Sequence, residues 1–110
     1  MKFVKQLHKL NITPEDYLNF ARMRAKKEGY NPKLLFLSDD DKHKLIYDNV
    51  PFGAVGYNDF ILYSVMAVDH KITKEQAINK RINYRKRAYD MMIKSNNKFS
   101  PASLSYFILW

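Results

Sequence analysis

Asp59 and His70 are the side chains best suited to chemistry here, a carboxylate and a base of the kind that could serve a small nuclease. The rest of the chain gives them little company. His8, His43 and His70 lie far apart and show no metal-ligand spacing. Ser38-Asp39-Asp40-Asp41 offers three carboxylates, but none follows where a calcium loop needs one, so the run reads as a solvated turn. Neither a Gly-x-Ser-x-Gly elbow nor a phosphate loop ending in Gly-Lys-Ser/Thr occurs, and Gly53-Ala54-Val55-Gly56 is too short for either glycine-rich nucleotide motif. The lack of cysteine excludes disulfides, thiol catalysis and cysteine-bound zinc. A lone Asp beside a glycine-rich turn more often caps a helix or pairs an arginine. The expectation is a protein with no catalytic residues, no metal and no cofactor.

Fixed charge is the chemistry that remains. The 19 Lys and Arg against 11 Asp and Glu give a net charge of +8 and an isoelectric point near 9.7, where attraction to polyphosphate becomes a serious reading. Lys, Asn, Ile, Tyr and Phe are all abundant, as an A+T-rich genome would produce, so part of the lysine excess reflects codon bias. Placement survives that discount. Between Lys71 and Lys98 nine cations face only Glu75 and Asp90.

The elements that position these groups follow from caps and periodicity. With 110 residues and 46% hydrophobic content the chain makes one domain, 1–110, with its own core. Phe3, Leu7 and Leu10 recur at helical spacing. Thr13, Pro14, Glu15 and Asp16 start a helix over 14–28 that Gly29 stops, and its apolar residues Tyr17, Leu18, Phe20, Ala21, Met23 and Ala25 go most of the way round. Leu34 to Leu37 and Lys44 to Val50 read as a β-hairpin about the Asp turn. Asn58 is placed to cap a helix from Phe60 to Val68, although those residues also have strand propensity.

Thr73 and Gln76 form a capping pair before a long helix to about Lys94. On its wheel Ile78, Ile82, Tyr89, Met92 and Ile93 make an inward stripe, while Lys80, Arg87 and Lys94 share the opposite face with Asn83. Arg85 falls in the stripe and Arg81 at its edge, so each needs an acceptor or must snorkel. Ser100 and Pro101 begin a last helix in which Leu104 to Trp110 is nearly all apolar, which predicts a packed C-terminal segment and a buried Trp110. The fold class is α+β, a hairpin packed by three or more helices.

Val50 to Ile61, Val-Pro-Phe-Gly-Ala-Val-Gly-Tyr-Asn-Asp-Phe-Ile, reads as a built turn, with Gly53 and Gly56 free to take positive φ or allow close backbone approach. Phe52, Gly53, Gly56, Tyr57, Asp59 and Phe60 here, Asn11 to Tyr17 at the helix start, and Ser100, Pro101, Leu104, Ile108, Leu109 and Trp110 near the end carry a resemblance over most of the chain. It resembles a family of small basic proteins of unknown function encoded by nucleocytoplasmic large DNA viruses, the mimivirus-like giant viruses among them. That resemblance implies a virion or infected-cell setting and assigns no activity.

Two functions are expected. In one, Lys80, Lys86, Arg87, Lys94 and Lys98 lie along a nucleic-acid backbone, DNA favoured over RNA, without sequence preference, as genome packaging would need. In the other, the chain is a minor virion component that binds another viral protein or itself through Tyr57, Phe60, Tyr63 and Trp110. No membrane partner is expected, since no apolar run approaches the ~20 residues that span a bilayer and Met1 to Leu10 is lysine-rich instead of signal-like. Arg85 and Asp59 are expected to pair.

Overall fold

Three hydroxyls set the helix starts. Thr13 and Thr73 each accept a hydrogen bond from the backbone N–H three residues on at 3.0 Å, and Ser100 does so at 3.1 Å. Pro14 and Pro101 occupy the first helical positions, where a missing N–H costs nothing. In a computed structural model that describes residues 2–110, the helices are α1 (Lys2–Lys9), α2 (Pro14–Lys27), α3 (Phe60–Val68), α4 (Lys74–Ser95) and α5 (Pro101–Leu104). A wide π-type turn over Ser105–Leu109 continues α5. α2 ends as expected: Gly29 takes φ +87°, and the Tyr30 N–H reaches back to the Ala25 carbonyl at 2.8 Å.

The expected hairpin is present and extended. Strands β1 (Leu35–Leu37) and β2 (His43–Tyr47) pair antiparallel, and the Asp turn between them holds because Asp40 accepts the N–H of Lys42 at 2.8 Å and of His43 at 2.7 Å. These bonds and the His43 ring draw the Asp40 carboxyl down to about 2. β2 stops at Tyr47, short of the expected Val50, because Asp48 and Asn49 both adopt left-handed φ and make a two-residue turn. Val50–Ala54 then returns as β3, with Tyr47 opposite Val50 and Leu45 opposite Phe52.

The stretch from Val50, expected to be a turn, is thus a strand first and a turn only from Val55 to Asn58. Pro51 and Gly53 have the character of strand breakers. β3 is an edge strand in the order β1-β2-β3, where a proline is tolerated. Gly53 is required on two counts: its φ is +79°, and a Cβ there would meet Leu109 Cδ1 at 2.8 Å. The α+β class stands, with a third strand added to the expected hairpin.

Phe3, Leu7, Tyr17, Ala21, Ala25, Leu35, Leu45, Phe52, Leu62, Leu104, Ile108 and Leu109 meet in one core. The inward face of α4 differs from the expected stripe. Ile78, Ile82, Tyr89 and Ile93 are 41, 44, 50 and 52% exposed; the packed face runs instead through Ala77, Arg81, Tyr84, Arg85, Ala88 and Met92. Small Ala77 and Ala88 let this face approach the fold, and the arginines reach carbonyls there. On α2, Phe20 and Met23 are likewise exposed, and with Phe60, Val65 and Val68 they line a shallow apolar groove toward α3.

Trp110 is buried as expected, stacked on Tyr84 at 4.1 Å between ring centroids. Trp110→Ala leaves a large cavity beside Leu109 and Tyr84, and a loss of about 3–5 kcal/mol in urea unfolding is expected. An unchanged midpoint would show that the ring contributes no packing.

Candidate nucleic-acid interface

Asp59, the last residue before α3, is its N-cap in place of the expected Asn58: Oδ1 accepts the Leu62 N–H at 2.9 Å. Oδ2 accepts the Tyr17 hydroxyl at 2.6 Å and the Lys44 ammonium at 3.0 Å. Lys44 and Asp59 are 2% and 1% exposed. Lys44 alternates along β2 with Leu45 and Tyr47, so its burial means that both faces of the sheet are covered at this point. Its remaining contacts are the Tyr57 carbonyl at 2.6 Å and the face of Phe3 at 5.9 Å. Burial first, then the Asp59 charge, raises the Tyr17 hydroxyl well above the usual phenol range.

The expected pairing of Arg85 with Asp59 is therefore wrong; Lys44 holds that place. Arg85 donates instead to the Tyr106 carbonyl at 3.4 Å and lies over the Tyr106 ring at 4.7 Å, its buried Nε unpartnered. Arg81 donates to the main-chain oxygen of Trp110 at 2.6 Å, and Arg24 to the Ile108 carbonyl at 2.7 Å. Three guanidinium groups thus satisfy the carbonyl end of the last helix, where orphan acceptors and the negative end of the helix dipole coincide. Burial and the proximity of Arg81 and Arg85 lower the Arg24 pKa. The Phe60 ring lies between two of them, 5.9 Å from Arg24 and 5.0 Å from Arg81.

Asp59 and His70 are not brought together either. Both Asp59 oxygens are engaged, and His70 lies exposed past the far end of the nine-residue α3, a helix about 14 Å long. Among the described residues no group of three His, Asp or Glu is placed to hold a metal ion.

The cationic ridge is divided by the fold. Lys80 and Arg87, with Asn83 between them, form one wall of a cleft of about 490 Å³. The other walls are Tyr57, Asn58, Tyr63, Tyr84 and Trp110, with Lys44, Gly53 and Asp59 beneath. Lys80 extends along the Tyr63 face at 5.9 Å. Lys94 is exposed farther along α4, and Lys86 turns to a different groove with Ile82, Tyr89 and Tyr106. Lys98 does not belong to the ridge: its ammonium donates to the Gly29 carbonyl at 2.9 Å and covers the Tyr30 ring at 4.8 Å. In return the Tyr30 hydroxyl donates to the Lys98 carbonyl at 2.8 Å. Among the described residues the ion pairs are Lys44 with Asp59 and His43 with Asp40, so no cation of α4 is ion-paired.

Lys44 and Tyr84 join the site without having been expected there. Tyr84 had a legible signal, since it follows Asn83 and precedes Arg87 by three on the same helix; Lys44 had none, because an alternating strand lysine reads as solvent-facing. No protein-family model, curated protein or solved structure matches this chain.

Removing one member of the buried pair strands the other. Lys44→Met is expected to cost roughly 3–5 kcal/mol in urea unfolding, against about 0.5–1.5 kcal/mol for Arg85→Met. A double-mutant cycle should place the coupling on Lys44 with Asp59 and find none between Arg85 and Asp59. Alkaline stability is a second check. Burial pushes the Tyr30 hydroxyl up to about 12, so its contribution is complete below the ordinary phenol value of about 10 and is lost as pH rises toward 12. Urea midpoints should fall over that window, and Tyr30→Phe should remove part of the fall while Tyr17 and Tyr84, whose hydroxyls burial also raises, carry the rest.

Proposed function

We propose that this is a nucleic-acid-binding protein that contacts the phosphate backbone without sequence preference, DNA before RNA, and that it is not an enzyme. One observation carries the reading: among the described residues the exposed cations of α4 have no carboxylate partners, and two of them, Lys80 and Arg87, line one cleft. Structural cations find acceptors, as Arg24, Arg81 and Lys98 do. Lys80, Lys86, Arg87 and Lys94 have no hydrogen-bonded acceptor among the described residues, and release of the counterions that such charges displace from a polyphosphate drives association with it.

A role in genome packaging or as a virion nucleoprotein, in the virion or the viral factory, is part of the proposal; the resemblance to small basic proteins of large DNA viruses bears on the setting alone. No helix among the described residues is long and apolar enough to cross a membrane. A second reading, an interaction protein of the virion, is favoured by the exposed stripe of Ile78, Ile82, Tyr89 and Ile93 on α4. Two copies of so basic a helix repel, so the partner for that stripe is an amphipathic helix with an acidic rim.

A mobility-shift titration with duplex DNA, single-stranded DNA and RNA tests the proposal. Dissociation constants on the order of 10⁻⁴ to 10⁻⁶ M near physiological salt are expected, weakening steeply as salt rises. Neutralising Lys80, Arg87 and Lys94 together should flatten the salt slope by about 0.9 for each duplex phosphate that is no longer neutralised. Absence of any shift at low salt would remove the reading and leave the acidic-partner alternative.

A further inference from the structure

We propose that the cleft between α4 and the Tyr57 turn takes one unpaired nucleotide of a single strand, its base against the aromatic walls and its phosphate at Lys80 and Arg87. This rests on the phosphate-contact reading above and adds to it a preference for strands whose bases are free.

Tyr57 is the observation from which this starts. The residue is 73% exposed, yet its backbone is held from two sides, the carbonyl accepting the Gln6 side-chain amide at 3.1 Å and the Lys44 ammonium at 2.6 Å. Among the described residues the ring and its hydroxyl have no aromatic or hydrogen-bond partner. A fixed backbone that presents a free aromatic face is a preorganised stacking platform. Farther round the same cleft Tyr63 lies 6.0 Å from Trp110, which stacks on Tyr84 with 8° between the planes. The cleft is therefore lined with aromatic rings, and stacking is open to any base because every base has a π-face.

Polar groups stand where the rest of a nucleotide would need them. Lys80 and Arg87 lie seven residues apart on one face of α4, with the Asn83 amide between them and the Asn58 amide across the cleft. An amide supplies both donor and acceptor to a base edge. Among the described residues Asp59 is the one side-chain carboxylate lining the cleft, and its oxygens are already taken by Lys44, Tyr17 and the Leu62 N–H. The cavity of about 490 Å³ falls within the range of roughly 300–1,000 Å³ typical of small-molecule sites. A paired base would first have to leave its duplex to enter.

A free mononucleotide has the same base-and-phosphate chemistry, so the test separates the two sources. Trp110, the single tryptophan of the chain, lines the cleft and reports directly on it. Its fluorescence is titrated with a dT oligonucleotide, a blunt duplex of the same length and dTMP, for the full chain and for Tyr57→Ala. That substitution removes an exposed ring and leaves the backbone contacts, and a matching melting curve verifies the fold. Expected are quenching by the oligonucleotide, tighter binding of the oligonucleotide than of the duplex, and a roughly 5- to 150-fold loss of single-strand affinity in Tyr57→Ala with duplex affinity unchanged. Duplex binding as tight as single-strand binding, or an unchanged Tyr57→Ala, overturns the inference while leaving phosphate contact standing. Quenching by dTMP at concentrations as low as the oligonucleotide requires overturns the strand in favour of a free nucleotide. Failure of every nucleic acid to bind removes both.

Discussion

The pair formed by Lys44 and Asp59 is the constraint on which the rest of this structure depends. Both groups have left water, at a desolvation cost that attraction between them offsets only when geometry is good and the remaining donors and acceptors are used. Here they are used. One carboxylate ties the hydroxyl of α2, the ammonium of β2 and the first turn of α3, so helices and sheet must come together in one register or leave a charge stranded. The same ammonium fixes the Tyr57 carbonyl and so sets one lip of the cleft. Fold and candidate site share a single electrostatic node.

Net charge means something different once its users are identified. Six of the 19 cations serve the fold. Arg24, Arg81 and Arg85 terminate the last helix, Arg22 donates to the Leu35 carbonyl at 3.0 Å, Lys98 clasps the Gly29 turn and Lys44 neutralises Asp59. Main-chain carbonyls, not carboxylates, are the acceptors for most of these cations, which is why a protein can be this basic and show so few ion pairs. The other cations lie at the surface, on α1 and α2 as well as on α4, and what sets Lys80 and Arg87 apart is that they border the aromatic cleft.

Caps and turns were legible because their causes are local. Thr13 with Pro14, Thr73 with Gln76, Ser100 with Pro101 and Gly29 each act within a few residues, and the helices begin and end where those residues say. The third strand was not legible, because Pro51 and Gly53 break strands in general and are accepted only at an edge packed against Leu109. The inward face of α4 failed for a related reason. Counting apolar residues favoured Ile78 and Ile82, whereas the carbonyls of the last helix drew Arg81 and Arg85 inward and left the isoleucines outside. Lys80 and Arg87 were found by spacing alone, but that they border a cleft, and that Lys98 is not with them, depended on residues distant in sequence.

The three-arginine clasp on the last helix has a consequence for local opening. Arg24 donates to the Ile108 carbonyl, and the core that encloses Phe3, Leu7 and Tyr17 is closed by Leu104, Ile108 and Leu109. Lifting residues 104–110 away exposes that apolar surface and breaks the guanidinium contacts in the same event. The last helix therefore opens with the fold as a whole instead of fraying on its own.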